Sequence, residues 1–175
     1  MLSIGILDSG GCSIDVMPTP DDLGKLKNEV VFYVEHNSGA ECGYSDNHYW
    51  QNGCNLLSSR NDVIRKSDII LVDDALDFNV QADKKKIFIT NFDVIEEFDK
   101  LQSFLSSQVD LYSFHRNMLK RGAENQTFRE VFIDFVKFYL GDSIHPDVIY
   151  AFSKAKVISN GKVVYSQLIN HLDGY

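Results

Sequence analysis

The chain has 175 residues, of which 44% are hydrophobic and 24% charged, and its formal net charge is −8 at pH 7. The length and composition are typical of one soluble domain with a hydrophobic core, and the acidic balance argues against nucleic acid as a partner, because phosphate contacts need clustered lysine and arginine. The sequence shows neither a membrane-spanning apolar run nor a signal-peptide pattern, so we expect no membrane partner and a cytoplasmic location.

Strands and helices are predicted to alternate along the first half of the chain. In Thr19–Asp22 a hydroxyl side chain precedes a proline and two acids, which is typical of a helix start. The apolar run Val30–Val34 favours a strand buried on both faces. The other predicted elements of this half are a strand at Leu2–Leu7, helices at Asp46–Gln51 and Arg60–Lys66, and a strand at Asp68–Val72.

The second half continues the pattern. We interpret Lys84–Lys86 as a solvated approach to a strand at Ile87–Thr90, and the apolar spacing within Thr127–Leu140 predicts a long amphipathic helix. The remaining predictions are a helix at Val94–Leu105, a strand at Val109–Phe114, a helix at Pro146–Phe152, a turn at Asn160–Lys162, a short strand at Val163–Val164 and a helix at Tyr165–Leu172. This alternation predicts a three-layer α/β fold, with a mainly parallel flavodoxin-like or Rossmann-like sheet and helices on both faces.

Motifs for nucleotides and metals are missing from the sequence. None of the 11 glycines forms a G-x-G-x-x-G or a G-x-x-x-x-G-K-[ST] pattern. The five histidines show no ligand spacing. Cys12, Cys42 and Cys54 lack C-x-x-C spacing, so we expect reduced cysteines rather than a disulfide framework or a zinc site.

Carboxylates follow several predicted strands. Asp8 and Asp15 come after the first strand, Asp73 and Asp74 after the strand that ends at residue 72, and Asp93 after the strand that ends at residue 90. Ligands of parallel α/β sheets bind at the carboxyl edge of the strands, which makes these five acids candidate ligand-binding residues. The alternative is that they are helix caps and loop residues that face water. The pattern identifies no catalytic residue and leaves a metal site open.

Several stretches resemble the N-terminal substrate domain of alanine dehydrogenase. They are Asp15–Pro20, Val30–Glu35, Gly39–Gly43, the pattern Y-S-D-x-x-Y-x-x-x-G over Tyr44–Gly53, and Ser67–Leu71. The family also includes a subunit of nicotinamide nucleotide transhydrogenase and saccharopine-forming reductases. The resemblance implies one domain over residues 1–175, in which 1–118 and 127–175 match the two family segments. Residues 119–126 then replace the inserted nucleotide-binding domain, so we expect no cofactor and no NAD binding by this chain alone.

The resemblance also implies a reversal of charge. Asp15, Asp74 and Asp93 fall at positions where the family has basic residues that hold a 2-oxo acid and move its proton. Two carboxylates ~4 Å apart repel by about 4 kcal/mol at an effective dielectric near 20, so such a cluster needs a cation, a raised pKa or wide separation. The guest implied is an amine, a guanidinium or a divalent metal. Functional decay, with solvated aspartates accumulating after catalysis was lost, is the alternative.

Two functions follow from the resemblance. The first is a non-catalytic or degenerate substrate domain that binds a small cationic ligand or a protein partner. The alternative is the substrate-domain subunit of a split NAD(P)-dependent amino-acid dehydrogenase, whose nucleotide domain is a separate chain; a metal-dependent enzyme using the aspartates ranks third. We also expect a homo-oligomer, because the helix at 127–140 carries aromatic side chains that would border the missing domain, namely Phe128, Phe132, Phe135, Phe138 and Tyr139.

Overall fold

The computed structural model describes residues 1–8, 17–72, 86–90, 109–113, 128–141, 156–159 and 162–165. Within these residues, eight strands form one sheet: β1 Leu2–Ile6, β2 Val30–Glu35, β3 Asn55–Leu57, β4 Ile69–Val72, β5 Lys86–Thr90, β6 Val109–Ser113, β7 Lys156–Ser159 and β8 Lys162–Tyr165. The same residues contain four α-helices: α1 Pro20–Leu26, α2 Asp46–Gln51, α3 Arg60–Lys66 and α4 Phe128–Tyr139.

The strand order is β3-β2-β1-β4-β5-β6-β7-β8. The pairs from β3 through β6 are all parallel, whereas β7 and β8 are antiparallel to their neighbours. The chain winds outward from β1 to β3 and then returns through α3 to β4 on the other side of β1. This reversal places the topological switch point between β1 and β4, where doubly wound sheets open a crevice beyond the carboxyl ends of the strands.

The start of α1 confirms the predicted capping. The Thr19 hydroxyl accepts a hydrogen bond from the Asp22 backbone N–H, and the Asp22 carboxylate accepts bonds from the backbone N–H and the hydroxyl of Thr19. Burial raises the pKa of Asp22, but its hydrogen bonds with Thr19 and the charge of Arg129 on α4 together hold that pKa below its usual value. The Arg129–Asp22 ion pair, at 3.4 Å, also fixes α4 beside α1.

Helices pack on both faces of the sheet. Ile4 and Ile6 of β1 share a buried core with side chains of α1, α2 and α4. Gly5 faces the opposite side, where a Cβ would lie 2.6 Å from Oγ of Ser67 and 2.8 Å from Cγ1 of Val63, so α3 packs directly on the β1 backbone. The period-2 alternation of a strand puts these neighbours on opposite faces. The predicted α/β class with helices on both faces is confirmed.

Some predicted elements were displaced or missed. Strands β3 and β7 were not predicted, and Tyr165 lies in β8 rather than starting a helix. Val31 and Tyr33 are half-buried, so β2 is not covered equally on its two faces. The predicted helices at 94–105 and 146–152, the part of the helix predicted at Tyr165–Leu172 that follows Tyr165, and the segment 119–126 lie outside the described residues. No helix in the described ranges has the length and apolar character to cross a bilayer.

Lys86 contradicts the prediction that the lysine run before β5 is solvated. It is 1% exposed rather than solvated. Its ammonium group donates hydrogen bonds to the carbonyl oxygens of Ser67, at 2.6 Å, and Arg65, at 3.1 Å. Carbonyls at the end of an α-helix have no donor within the helix itself, so a buried lysine supplies donors at the end of α3. The run of lysines gave no sign of this contact, because it depends on how β5 packs against α3.

Phe132 corrects the expectation of an exposed aromatic surface. Together with Val136 it is fully buried in the core cluster. The side chains of Phe128, Phe135, Phe138 and Tyr139 lie outside the described residues. Self-association of the chain therefore stays a prediction.

Candidate functional site

The carboxyl end of β1 lies at the switch point of the sheet. β1 is hydrogen-bonded to β2 on one side and to β4 on the other. The pairing with β4 continues to Leu7, whose backbone N–H donates to the Leu71 carbonyl at 3.2 Å. Asp8 follows directly, and it is half-buried. This aspartate therefore marks the position at which a ligand crevice is expected in this topology.

An ion pair from two other elements holds the backbone of Asp8. The Asp8 N–H donates to Oε2 of Glu35, the last residue of β2, at 2.8 Å. The carbonyl of Asp8 accepts a bond of 2.7 Å from the guanidinium of Arg60, the first residue of α3. Nε of Arg60 donates to the same Glu35 oxygen at 3.1 Å. We call these three residues, Asp8, Glu35 and Arg60, the Asp8 clamp.

The electrostatics of the Asp8 clamp combine two acids and one base. The side chains of Arg60 and Glu35 are 33% and 15% exposed, so water screens their ion pair only in part. The guanidinium of Arg60 donates to the carboxylate of Glu35 and to the backbone carbonyl of Asp8. These contacts join the end of β1 to the end of β2 and to the start of α3.

The loop that follows β2 forms a second polar feature at the same edge. Nδ1 of His36 lies 2.6 Å from Oδ2 of Asp46, and the other oxygen of Asp46 accepts a 2.9 Å hydrogen bond from the Asn37 N–H. Asn37 has a left-handed backbone with φ of 67°, a conformation that asparagine tolerates. An open depression of about 470 Å³ lies beside this loop and is lined partly by Asn37, Tyr44 and Asp46. Because both oxygens of Asp46 are bonded within the loop, this carboxylate orders the turn.

Of the five predicted ligand-binding acids, Asp8 is the one within the described residues, and the structure places it at the switch point. Asp15, Asp73, Asp74 and Asp93 lie outside them, so their convergence stays a prediction. Sequence reasoning missed Glu35 and Arg60. Glu35 directly follows the strand predicted at Val30–Val34 and was open to the same carboxyl-edge rule. Arg60 was hidden because the strand before it, β3, was not recognised.

The cysteines differ from the expectation of reduced thiols. Cys42 is disulfide-bonded. Cys54 is a free thiol, and burial raises its pKa to about 12, so it stays protonated and unreactive at neutral pH. Spacing along the chain did not reveal the disulfide, because pairing depends on which loops meet in the fold. Among the described residues, no three His, Cys, Asp or Glu side chains are grouped to hold a metal ion.

Three solved structures are similar to this chain. A solved L-alanine dehydrogenase is similar at 15% sequence identity and a TM-score of 0.51, over 65% of this chain and 32% of that chain. A transhydrogenase from Sinorhizobium meliloti is similar at 14% sequence identity and a TM-score of 0.49, over 66% of this chain and 34% of that chain. An imine reductase from Pseudomonas sp. is similar at 12% sequence identity and a TM-score of 0.41, over 64% of this chain and 41% of that chain. At these identities the alanine dehydrogenase match shows the fold alone, and the chain spans about one third of the first two proteins.

A search of curated proteins found no match. A family model described as the N-terminal domain of alanine dehydrogenase/PNT matches residues 16–129. The matched segment covers more than half of the 175 residues and confirms the resemblance drawn from the motifs. This chain therefore belongs to the alanine dehydrogenase/PNT N-terminal domain family.

Proposed function

We propose that this domain is a degenerate member of its family that binds a small cationic molecule at the switch-point crevice and carries out no hydride transfer by itself. The observation that carries the proposal is the position of Asp8, which the clamp fixes at the end of β1 beside β4. The basic group found there, Arg60, is engaged by Glu35 and by the backbone. A carboxylate ligand would therefore have to compete with Glu35 for the guanidinium.

The sequence around Asp8 also supports a negatively charged site. Asp73 and Asp74 follow β4, the strand beside β1, while Asp15 and Asp93 occur in the segments after β1 and β5. By resemblance, three of these aspartates replace basic residues that hold a 2-oxo acid. Carboxylates at this edge favour an amine or a guanidinium and disfavour an anion of the pyruvate type. We expect the chain alone to bind no NAD(H), since it lacks the glycine fingerprint.

Thermal unfolding with added ligands tests this proposal. At constant ionic strength, putrescine, L-arginine, Mg²⁺, pyruvate and NADH are each added to the purified chain. A ligand at about 100 times its Kd stabilises the folded state by about 2.7 kcal/mol, which corresponds to a Tm rise of roughly 5–10 °C for a domain of this size. We expect such a rise with at least one of the three cations. A rise with pyruvate or NADH, and none with the cations, would contradict the proposal and favour the split dehydrogenase.

Variants of the acids locate the binding. The double variant Asp15→Asn/Asp74→Asn should lose the cation-dependent rise in Tm. The control is Glu29→Gln, which removes one exposed carboxylate just before β2, at the opposite edge of the sheet. The control should keep the rise, because Glu29 is remote from the crevice. Equal loss in both proteins would mean that cations act through net charge rather than at this site.

A further inference from the structure

An asparagine–glycine pair ends α2. Asn52 directly follows the last residue of the helix, with φ of −87° and ψ of 9°, and Gly53 has a left-handed backbone with φ of 87°. Because glycine has no side chain to shield its backbone nitrogen, an asparagine before glycine is readily attacked by the chain itself. We propose that Asn52 is a deamidation site, and that the folded end of α2 protects it from reaction.

The reaction needs water as its co-reactant. The backbone nitrogen of Gly53 attacks Cγ of Asn52 and forms a new N–Cγ bond. The Cγ–Nδ2 bond breaks, and Nδ2 leaves as ammonia after it takes up the proton of the Gly53 N–H. Water then opens the resulting succinimide ring at either carbonyl carbon. The products are aspartate and isoaspartate, and the main chain of isoaspartate is longer by a methylene group.

Hydrogen bonds hold the nucleophile and the leaving group in place at the end of α2. The Gly53 N–H, which supplies the nucleophile, donates to the Trp50 carbonyl at 3.0 Å. Nδ2 of Asn52, the leaving group, donates to the His48 carbonyl at 3.0 Å. Ring closure has to turn the Cα–C bond of Asn52 away from its ψ of 9°, which breaks the bond between Gly53 and Trp50. Deamidation therefore requires local opening of the end of α2.

Helix α1 packs against the carboxamide of Asn52 at Gly24. A Cβ added to Gly24 would lie 2.5 Å from Oδ1 of Asn52 and 3.2 Å from its Cγ. Alanine at this position would displace the carboxamide from its bond with the His48 carbonyl, although alanine suits a helix interior better than glycine does. The substitution Gly24→Ala thus exposes Asn52 to reaction without changing any residue of α2.

Deamidation should weaken the end of α2. A carboxylate at position 52 has no N–H with which to replace the bond from Nδ2 to the His48 carbonyl. It also places a negative charge at the C-terminal end of a helix, where the helix dipole disfavours it. Tyr49 of the same helix is 1% exposed and belongs to the core cluster, so a loosened α2 disturbs the core.

The test follows deamidation of Asn52 by peptide mass spectrometry, with the full chain incubated at neutral pH either folded or in guanidinium chloride. A second pair, Asn160–Gly161, occurs in the sequence and serves as an internal standard for the unfolded chain. Since hydrogen bonds have to break first, we expect Asn52 to react more slowly in the folded chain by a factor of at least about 10. Equal rates in the folded and unfolded chain would overturn the inference, and this comparison needs no variant.

Two alanine variants separate local opening from global unfolding. Gly24→Ala should speed the reaction of Asn52 in the folded chain about fivefold, as expected for the loss of one hydrogen bond, and should leave the rate in guanidinium chloride unchanged. The matched control is Gly5→Ala, which adds the same methyl group on the opposite face of the sheet, against α3. The control should keep the original rate in the folded chain. Equal acceleration in both variants, or none in Gly24→Ala, would overturn the role assigned to the end of α2.

Discussion

Replacing Lys86 by methionine should destabilise the domain more than its place at the end of a lysine run suggests. The side chain is 1% exposed and donates to the carbonyls of Ser67 and Arg65 at 2.6 and 3.1 Å. Methionine fills nearly the same volume but has no donor, so both carbonyls lose a bond. Each buried acceptor left without its donor costs about 1–3 kcal/mol, and this cost is partly offset because no ammonium has to be desolvated. We expect a loss of about 3 kcal/mol, or roughly 6–12 °C in Tm.

Urea unfolding of the Lys86→Met variant, followed by circular dichroism, measures this loss. The matched control is Lys66→Met on α3, which removes the same charge from an exposed lysine whose Nζ lies 5.5 Å from the ring centroid of Tyr33. A cation–π contact at an exposed site contributes only about 0.5–1 kcal/mol, so the control should cost much less. If the two variants lose the same stability, the hydrogen bonds of Lys86 do not support α3 as described.

Three further outcomes follow from the described contacts. Gly5→Ala should lower the free energy of unfolding in urea by about 1–3 kcal/mol, because the added Cβ would meet α3. Adding Ser67→Gly to that variant should recover part of the loss. An unchanged urea midpoint for Gly5→Ala would contradict the packing of α3 on β1. The pKa of Asp22 is lowered on folding, so its contribution to stability should be present at pH 7 and fade as pH falls through and below about 3.9. The difference in unfolding free energy between the original chain and Asp22→Asn should therefore shrink over that pH range. A difference that stays constant with pH would refute this. Cys54 should react with maleimide at pH 7 only after unfolding, as a comparison with Cys54→Ala would show; rapid reaction of the folded chain would refute its burial.

Much of the fold was predictable because local signals agreed with the tertiary structure. The proline and acids after Thr19 predicted the start of α1, and the helices Asp46–Gln51 and Arg60–Lys66 have the predicted bounds. The short strand β3 was missed because three residues, of which Asn55 is exposed, carry too little of the apolar pattern that predicts a strand. β3 exists by pairing with β2, a long-range contact that local sequence does not encode.

The place of Asp8 in the fold was predictable, whereas its contacts were not. The carboxyl-edge rule identified Asp8, and the strand order confirms that it lies at the switch point. The rule could not pair Glu35 with Arg60, which are 25 residues apart in sequence and meet because α3 returns across the sheet. The expectation of an acidic edge is therefore modified, because the guanidinium of Arg60 also lies there and donates to the carboxylate of Glu35.

The seven-residue helix α3 is anchored at both ends by groups outside it. Arg60, its first residue, binds the chain at the end of β1, while the carbonyls of Arg65 and Ser67, at and just beyond its last turn, bind the ammonium of Lys86 at the start of β5. The helix thus connects the two edges of the sheet and packs on the β1 backbone at Gly5. A substitution of Lys86 at the amino edge of the sheet therefore acts on the same helix that supplies Arg60 at the carboxyl edge.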